Sequence, residues 1–179
     1  MEDAVLEEPS KGIQLMAGAV EASNQVIRLV RDNEDIAHHA DGCTPAVLAR
    51  AEQELGLAFP PSYRRLLEEF GTWDIAGTEF PGVYRTAVKG DQLLGTVEET
   101  LSARENQGLP TPLMVVKTDD VWMLVVLDTS QSDQSGEYAV YAWNPGVLKG
   151  GAMERIADNF GSFALTECHM AVTQWRNMD

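Results

Sequence analysis

Residues 44–71 read TPAVLARAEQELGLAFPPSYRRLLEEFG, and this stretch decides the reading of the fold. Thr44 is a capping residue, and Pro45 falls where a missing N–H costs nothing. Leu48, Ala51 and Leu55 then share one helical face, and Gly56 can close the helix in a left-handed conformation. Phe59-Pro60-Pro61 is a stiff corner. Tyr63, Leu66, Leu67 and Phe70 follow at i, i+3, i+4, i+7, which predicts a second helix stopping at Gly71. So short a connection makes the two helices neighbours.

Upstream, Met16, Val20, Ser23, Ile27 and Val30 alternate steps of four and three. They predict a helix that runs into the polar stop RDNED at 31–35. His38 to Gly42 reads as a loop. Residues 1–14 read as an acidic, flexible tail, and 15–179 as one domain. Downstream, Trp73 to Gly95 reads as short strands and turns, with Phe80 and Val83 buried. Thr96-x-x-Glu99 fits a capping box that opens a helix to about Asn106. Three strands follow: Leu113–Val116, Val121–Leu127 and Glu137–Trp143. Lys117–Asp120 joins the first two at hairpin length, and Asp128–Gly136 is a polar loop. VWMLVVL at 121–127 is apolar throughout, so it should be central and covered on both faces. Ile156 ends a last strand. Asp158 or Asn159 caps a final helix with Phe160, Ala164, Cys168, Ala171 and Trp175 on one face. Helices, then a mixed, mostly antiparallel sheet, then a helix give a single-domain α+β fold.

With 179 residues and 44% apolar content, the chain can bury a core without disulfides or metals. Asp and Glu number 28 against 13 Lys and Arg, a net charge of −15. Such a surface repels nucleic acid and anionic lipid and attracts basic partners, although acidity also serves plain solubility. The two cysteines, Cys43 and Cys168, make no disulfide framework and are expected reduced. Residues 1–10 have no basic stretch followed by an apolar one, and no run is long enough to span a membrane. The expected compartment is the cytoplasm.

Catalytic and metal chemistry find little support. The G-x-S-x-G pattern is absent, as are the phosphate-loop patterns. His39 and Cys43 could pair as base and thiol, but Cys43 lies beside Asp41 without a firm cationic neighbour. His38, His39, Cys43, Cys168 and His169 are the metal-ligand types. The adjacent pairs point apart on regular backbone, so no zinc spacing results. Arg64 and Arg65 have Glu68 and Glu69 one turn on, an ordinary helix-surface arrangement. No enzyme activity and no cofactor are expected. Among the tryptophans, Trp122 and Trp143 fall in core strands. Trp73, before Asp74, is the one expected at the surface, where tryptophan anchors interfaces.

AEQELG at 51–56, FPPSY at 59–63 and the helix ending at Gly71 together resemble the opening signature of the SUKH superfamily, the Smi/Knr-like proteins. The likeness continues through Leu109-Pro110, VLDTS at 126–130, Gly136-Glu137 and IADNFGSF at 156–163, and its bacterial YobK-like branch is the nearest in pattern. The resemblance implies an α+β domain without a fixed catalytic triad. In bacteria such a domain binds and neutralises a cognate toxin, often a nuclease and therefore basic, as an immunity protein of a polymorphic toxin system. The alternative within the superfamily is a regulatory protein-binding module with no toxin. For a basic partner, the candidate contacts are acids in loops and at element ends: Asp32, Glu34, Asp35, Asp41, Asp74, Asp119, Asp120 and Asp133, with Trp73 beside them. Oligomeric state is left open.

Overall fold

The structure, a computed structural model, describes residues 11–120, 123–146 and 150–178. Residues 1–10 of the expected tail, Val121 and Trp122, and the side chain of Met16 lie outside the described residues.

The two helices of the opening stretch form as their spacing dictates. α2 (Pro45–Leu55) begins at Thr44, whose hydroxyl accepts the Val47 N–H, and ends at Gly56 with φ 67°. α3 (Pro61–Glu69) buries Tyr63, Leu66 and Leu67. Phe70, expected to close the helix, instead begins a strand: its φ is −129° and it opens β2 (Phe70–Ile75). The helix N-terminal to them, α1 (Lys11–Arg31), packs on α3 and on the final helix α5 (Phe160–Arg176). Its buried stripe is Ala19, Ala22, Ser23, Val26, Ile27 and Val30. At Gly161 in α5 a Cβ would lie 2.1 Å from the Ala19 carbonyl oxygen, so only glycine allows the two helices to come this close.

Strands fill the middle of the chain in three antiparallel sheets. β1 (Ala37–Asp41), β2 and β3 (Thr78–Phe80) make the first, and β4 (Val83–Tyr84) pairs β5 (Leu94–Gly95) in the second. The third runs β6 (Leu113–Asp120), β7 (Met123–Ser132), β8 (Tyr138–Asn144), β9 (Ala152–Ala157) in order. The protein is an α+β domain. β7 lies inside its sheet, and successive side chains enter different clusters. Val125 and Leu127 join the main core with Phe160 and Phe163; Leu124 and Val126 join a smaller one with Leu113 and Trp143. That is the physical meaning of an unbroken apolar run.

Four local expectations are corrected. His38–Gly42 is not simply a loop, because residues 37–41 pair with β2, a partner thirty residues away that local sequence does not announce. Lys117–Asp120 is not the hairpin turn: β6 continues to Asp120, with register shifts between Val115 and Lys117 and between Thr118 and Asp120. Thr96 is not the cap of α4 (Thr96–Asn106). Gly95 is, and the Thr96 hydroxyl is held at 2.6 Å from the buried Tyr63 hydroxyl. Trp175 is not on the buried face of α5; it is 43% exposed, while Phe160, Ala164, Cys168 and Ala171 are buried.

Candidate functional site

The hairpin between β2 and β3 turns at Ala76-Gly77, both with positive φ (49° and 80°), as in a type I′ connection. Its register is fixed: Asp74 stands opposite Glu79, and His38 of β1 stands opposite Asp74 on the other side. Two carboxylates therefore face each other directly across an antiparallel pair, an arrangement that disfavours the pairing. His38 Nδ1 lies 3.1 Å from Asp74 Oδ1.

These residues line the mouth of a cleft of about 520 Å³. Its other walls come from Pro81, Tyr84, Glu99 of α4 and Thr118 of β6. Glu99 is half-buried and accepts the Thr118 hydroxyl at 3.2 Å. Burial pushes its carboxyl above the ordinary range, and the neighbouring Glu98 adds to this against the Thr118 hydrogen bond. Among the described residues no Lys or Arg forms an ion pair with Asp74, Glu79 or Glu99. Several basic side chains are used elsewhere. Arg50 holds Glu54, Arg65 holds Glu69, and Arg64 reaches back to Glu52 of α2 rather than along its own helix to Glu68.

The sequence-derived residues are scattered over this frame. Asp74 is in the cleft. Trp73 also lines it but is not exposed, which corrects the expectation: it is 2% exposed and stacks on Phe80 with ring centres 4.9 Å apart. The alternation that turns Asp74 outward turns Trp73 inward. Its indole Nε1 has no hydrogen-bond partner. Asp32, Glu34 and Asp35 are exposed on the turn leading into β1, and Asp41 is exposed at that strand's end. The turn itself is anchored by buried Asn33, which donates to the Leu29 carbonyl and accepts from Arg176. Asp119 pairs with Lys117, and Asp120 ends β6. Asp133 organises its own loop, accepting the Ser135 and Glu137 N–H groups at 2.8 and 3.0 Å and the Ser135 hydroxyl at 2.6 Å. Burial works upward on that carboxyl, but these hydrogen bonds outweigh it and hold it below the ordinary value. Glu79 was not singled out by sequence, and Glu99 was read there only as a capping-box residue. The signal for Glu79 was the Ala76-Gly77 turn, which counts out its position opposite Asp74.

Cys43 donates to the Val83 carbonyl at 3.1 Å, and burial pushes its thiol up to about 11. That environment keeps the thiol protonated and unreactive. Burial, with the charge of Glu167 adding and Lys117 opposing, pushes Cys168 up to about 12. Among the described residues no three His, Cys, Asp or Glu side chains are arranged to hold a metal ion, and no helix is long and apolar enough to cross a membrane.

The cleft gathers carboxylates on an acidic α+β frame, and the frame itself has relatives. A family model described as SUKH_5, SMI1-KNR4 cell-wall, matches residues 23–169. The match takes in both motif helices, all three sheets and the start of the last helix. The chain belongs to the SUKH (SMI1-KNR4) family.

Proposed function

We propose that this protein is an immunity protein, acting in the cytoplasm by binding and neutralising a cognate basic toxin domain rather than by catalysing a reaction. Family membership over residues 23–169 carries the reading. A net charge of −15 supports a basic partner, since long-range attraction speeds encounter and selects partners of opposite sign. The unreactive environment of Cys43 also favours binding over catalysis through the His39–Cys43 pair.

The test is rescue. A candidate toxin encoded beside this chain is expressed with and without it. Survival only with the immunity protein, together with co-purification of the two, is the expected result. Killing undiminished by co-expression contradicts the reading. The family description also refers to the cell wall, and this favours one second reading: a regulatory module that binds a host protein with no toxin involved. In that case the chain would capture an endogenous protein and give no protection.

A further inference from the structure

We infer that the outward face of α5 is the contact surface for a second copy of this chain, pairing the two final helices antiparallel about a two-fold axis. This goes beyond the immunity reading and does not depend on it.

Three observations converge on this helix. First, its exposed face is uncharged. Ser162, Thr166, His169, Met170, Thr173 and Asn177 are exposed at steps that keep them on one side. The charged residues nearest them are engaged: Glu167 lies 3.6 Å from Lys117, and Arg176 donates to the Asn33 side chain at 2.7 Å. The other helices expose charge, with Glu21 and Arg28 on α1, Glu54 on α2, Glu68 on α3 and Glu105 on α4. In a two-fold contact each surface meets its own image. Two copies that each carry −15 therefore approach with least repulsion on a face free of Asp, Glu, Lys and Arg. A basic partner finds no carboxylate there to attract it. Second, Met170 stands 56% exposed in the middle of the face, apolar area that only another surface can cover. Third, a recess of about 430 Å³ beside it is lined by Met170, Thr173, Gln174 and Asn177, with His169 at its edge. Positions i, i+3, i+4 and i+7 are the four that surround an inserted side chain when helices interlock.

Seating Met170 of one copy in the recess of the other fixes the register. The axis passes between positions 171 and 172, which sets Met170 against Thr173, His169 against Gln174 and Thr166 against Asn177 of the second copy. The contact runs along roughly 17 Å of each helix. One helix face of that length is small beside the roughly 1,200–2,000 Å² that stable interfaces bury, so the dimer is weak and reversible. Other surfaces say less. Edge strand β9 exposes Met153 and Ile156, but its register shift and the charges of Glu154 and Arg155 oppose strand pairing. The groove at Asp128, Asp133 and Asp158 already contains Arg155, paired with Asp158 at 2.9 Å.

Sedimentation velocity of the full-length protein, alone and from about 1 μM to about 1 mM, reads the monomer–dimer equilibrium. Wild type is expected to pass from monomer to dimer across that range. Met170→Asp brings two carboxylates together near the axis and should weaken the dimer at least about tenfold. Val88→Asp makes the same change in charge at a position 93% exposed in the loop between β4 and β5, and should leave the dimer as it is. Melting curves of both variants at the lowest concentration should match wild type, because both side chains are exposed. Mixing Met170→Asp with Thr173→Lys sets opposite charges against each other in the antiparallel register and should restore association. Added salt should strengthen the wild-type dimer, since it screens the repulsion between two acidic copies, the reverse of its effect on capture of a basic partner. A wild type that stays monomeric throughout overturns the proposal, as does a dimer that Met170→Asp leaves intact or that salt weakens. Mixing without recovery overturns the antiparallel register. A monomeric wild type whose co-expression rescue is lost in Met170→Asp gives the face to the toxin instead of a second copy.

Discussion

Ser62 gives Glu137 both of its donors: the backbone N–H at 2.8 Å and the hydroxyl at 2.7 Å, on separate carboxylate oxygens. Glu137 is 2% exposed and lies 75 residues downstream in the chain. Pro60, at the cap position of α3, offers no side-chain hydrogen bond, so a carboxylate from beside β8 caps that helix end from a distance. Ser62 passes the connection on. Its hydroxyl accepts the Gly161 N–H of α5 at 3.1 Å, and its carbonyl accepts the Ser23 hydroxyl of α1 at 2.9 Å. Three helices and the third sheet thus meet at one serine.

Removing that carboxylate leaves a buried N–H and a buried hydroxyl without their acceptor. Glu137→Ala should therefore destabilise the protein by about 1–3 kcal/mol. Glu137→Gln keeps one acceptor oxygen and should lose less. Urea unfolding of both variants measures this. A Glu137→Ala variant unfolding with wild type would mean the connection does not hold α3 to the sheet.

The same residue sets a pH dependence. Burial raises the folded-state value of Glu137 above the ordinary 4.5, against the Ser62 hydrogen bonds, with the charge of Asp133 adding to the rise. A carboxyl raised on folding binds its proton more tightly in the folded state. Its contribution is fully present below 4.5 and is lost as pH climbs through the folded value. Wild type should therefore lose stability relative to Glu137→Gln as pH is raised from 4.5 upward. Denaturant midpoints of the pair measured across that window provide the check. A gap independent of pH would show that Glu137 titrates normally in the folded protein.

The hairpin that aligns Asp74 with Glu79 contains a strained residue. Ala76 has φ 49°, a conformation that costs an L-residue about 1–2 kcal/mol and that Asn tolerates better. Ala76→Asn should stabilise by about 0.5–1 kcal/mol, since the Asn-Gly pair suits this turn. Its backbone N–H still donates to the Ile36 carbonyl at 2.7 Å. A lower melting temperature would indicate a different turn, and with it a different register for the cleft carboxylates.

β7 supplies both cores, so damage on either of its faces should register. Leu127→Ala in the main core should cost about 2–5 kcal/mol, and Leu124→Ala in the smaller cluster should fall toward the lower end of that range. Both are read from equilibrium unfolding. A Leu124→Ala protein as stable as wild type would make the smaller cluster a surface feature rather than a second core.

Sequence alone shows the parts of this fold that depend on local repetition. Leu48, Ala51 and Leu55, and Tyr63, Leu66 and Leu67, are buried at the spacing that predicted them, because helix periodicity is written within a few residues. The apolar run at 121–127 likewise announced an inner strand, though of its described residues only 124–127 are buried and Met123 is 39% exposed. β1 was hidden because AHHAD has no clear alternation, and its pairing depends on residues 70–75. Thr96 was misread as a cap because its hydroxyl serves Tyr63, a contact across 33 residues. The cleft was half legible. Asp74 stood out as an acid near an element end, while Glu79 and Glu99 acquire meaning only when the hairpin register and the packing of α4 set them around it.

The role proposed for this acidic domain is the capture of a basic protein. The most direct measurement is the association rate with the proposed basic toxin partner, followed as salt shortens the Debye length from about 10 Å at 0.1 M to about 3 Å at 1 M. A rate that falls steeply across that range, while co-expression protects the cell, is the predicted result. A rate indifferent to salt, with protection intact, would contradict electrostatic capture and place the contact on an apolar surface instead.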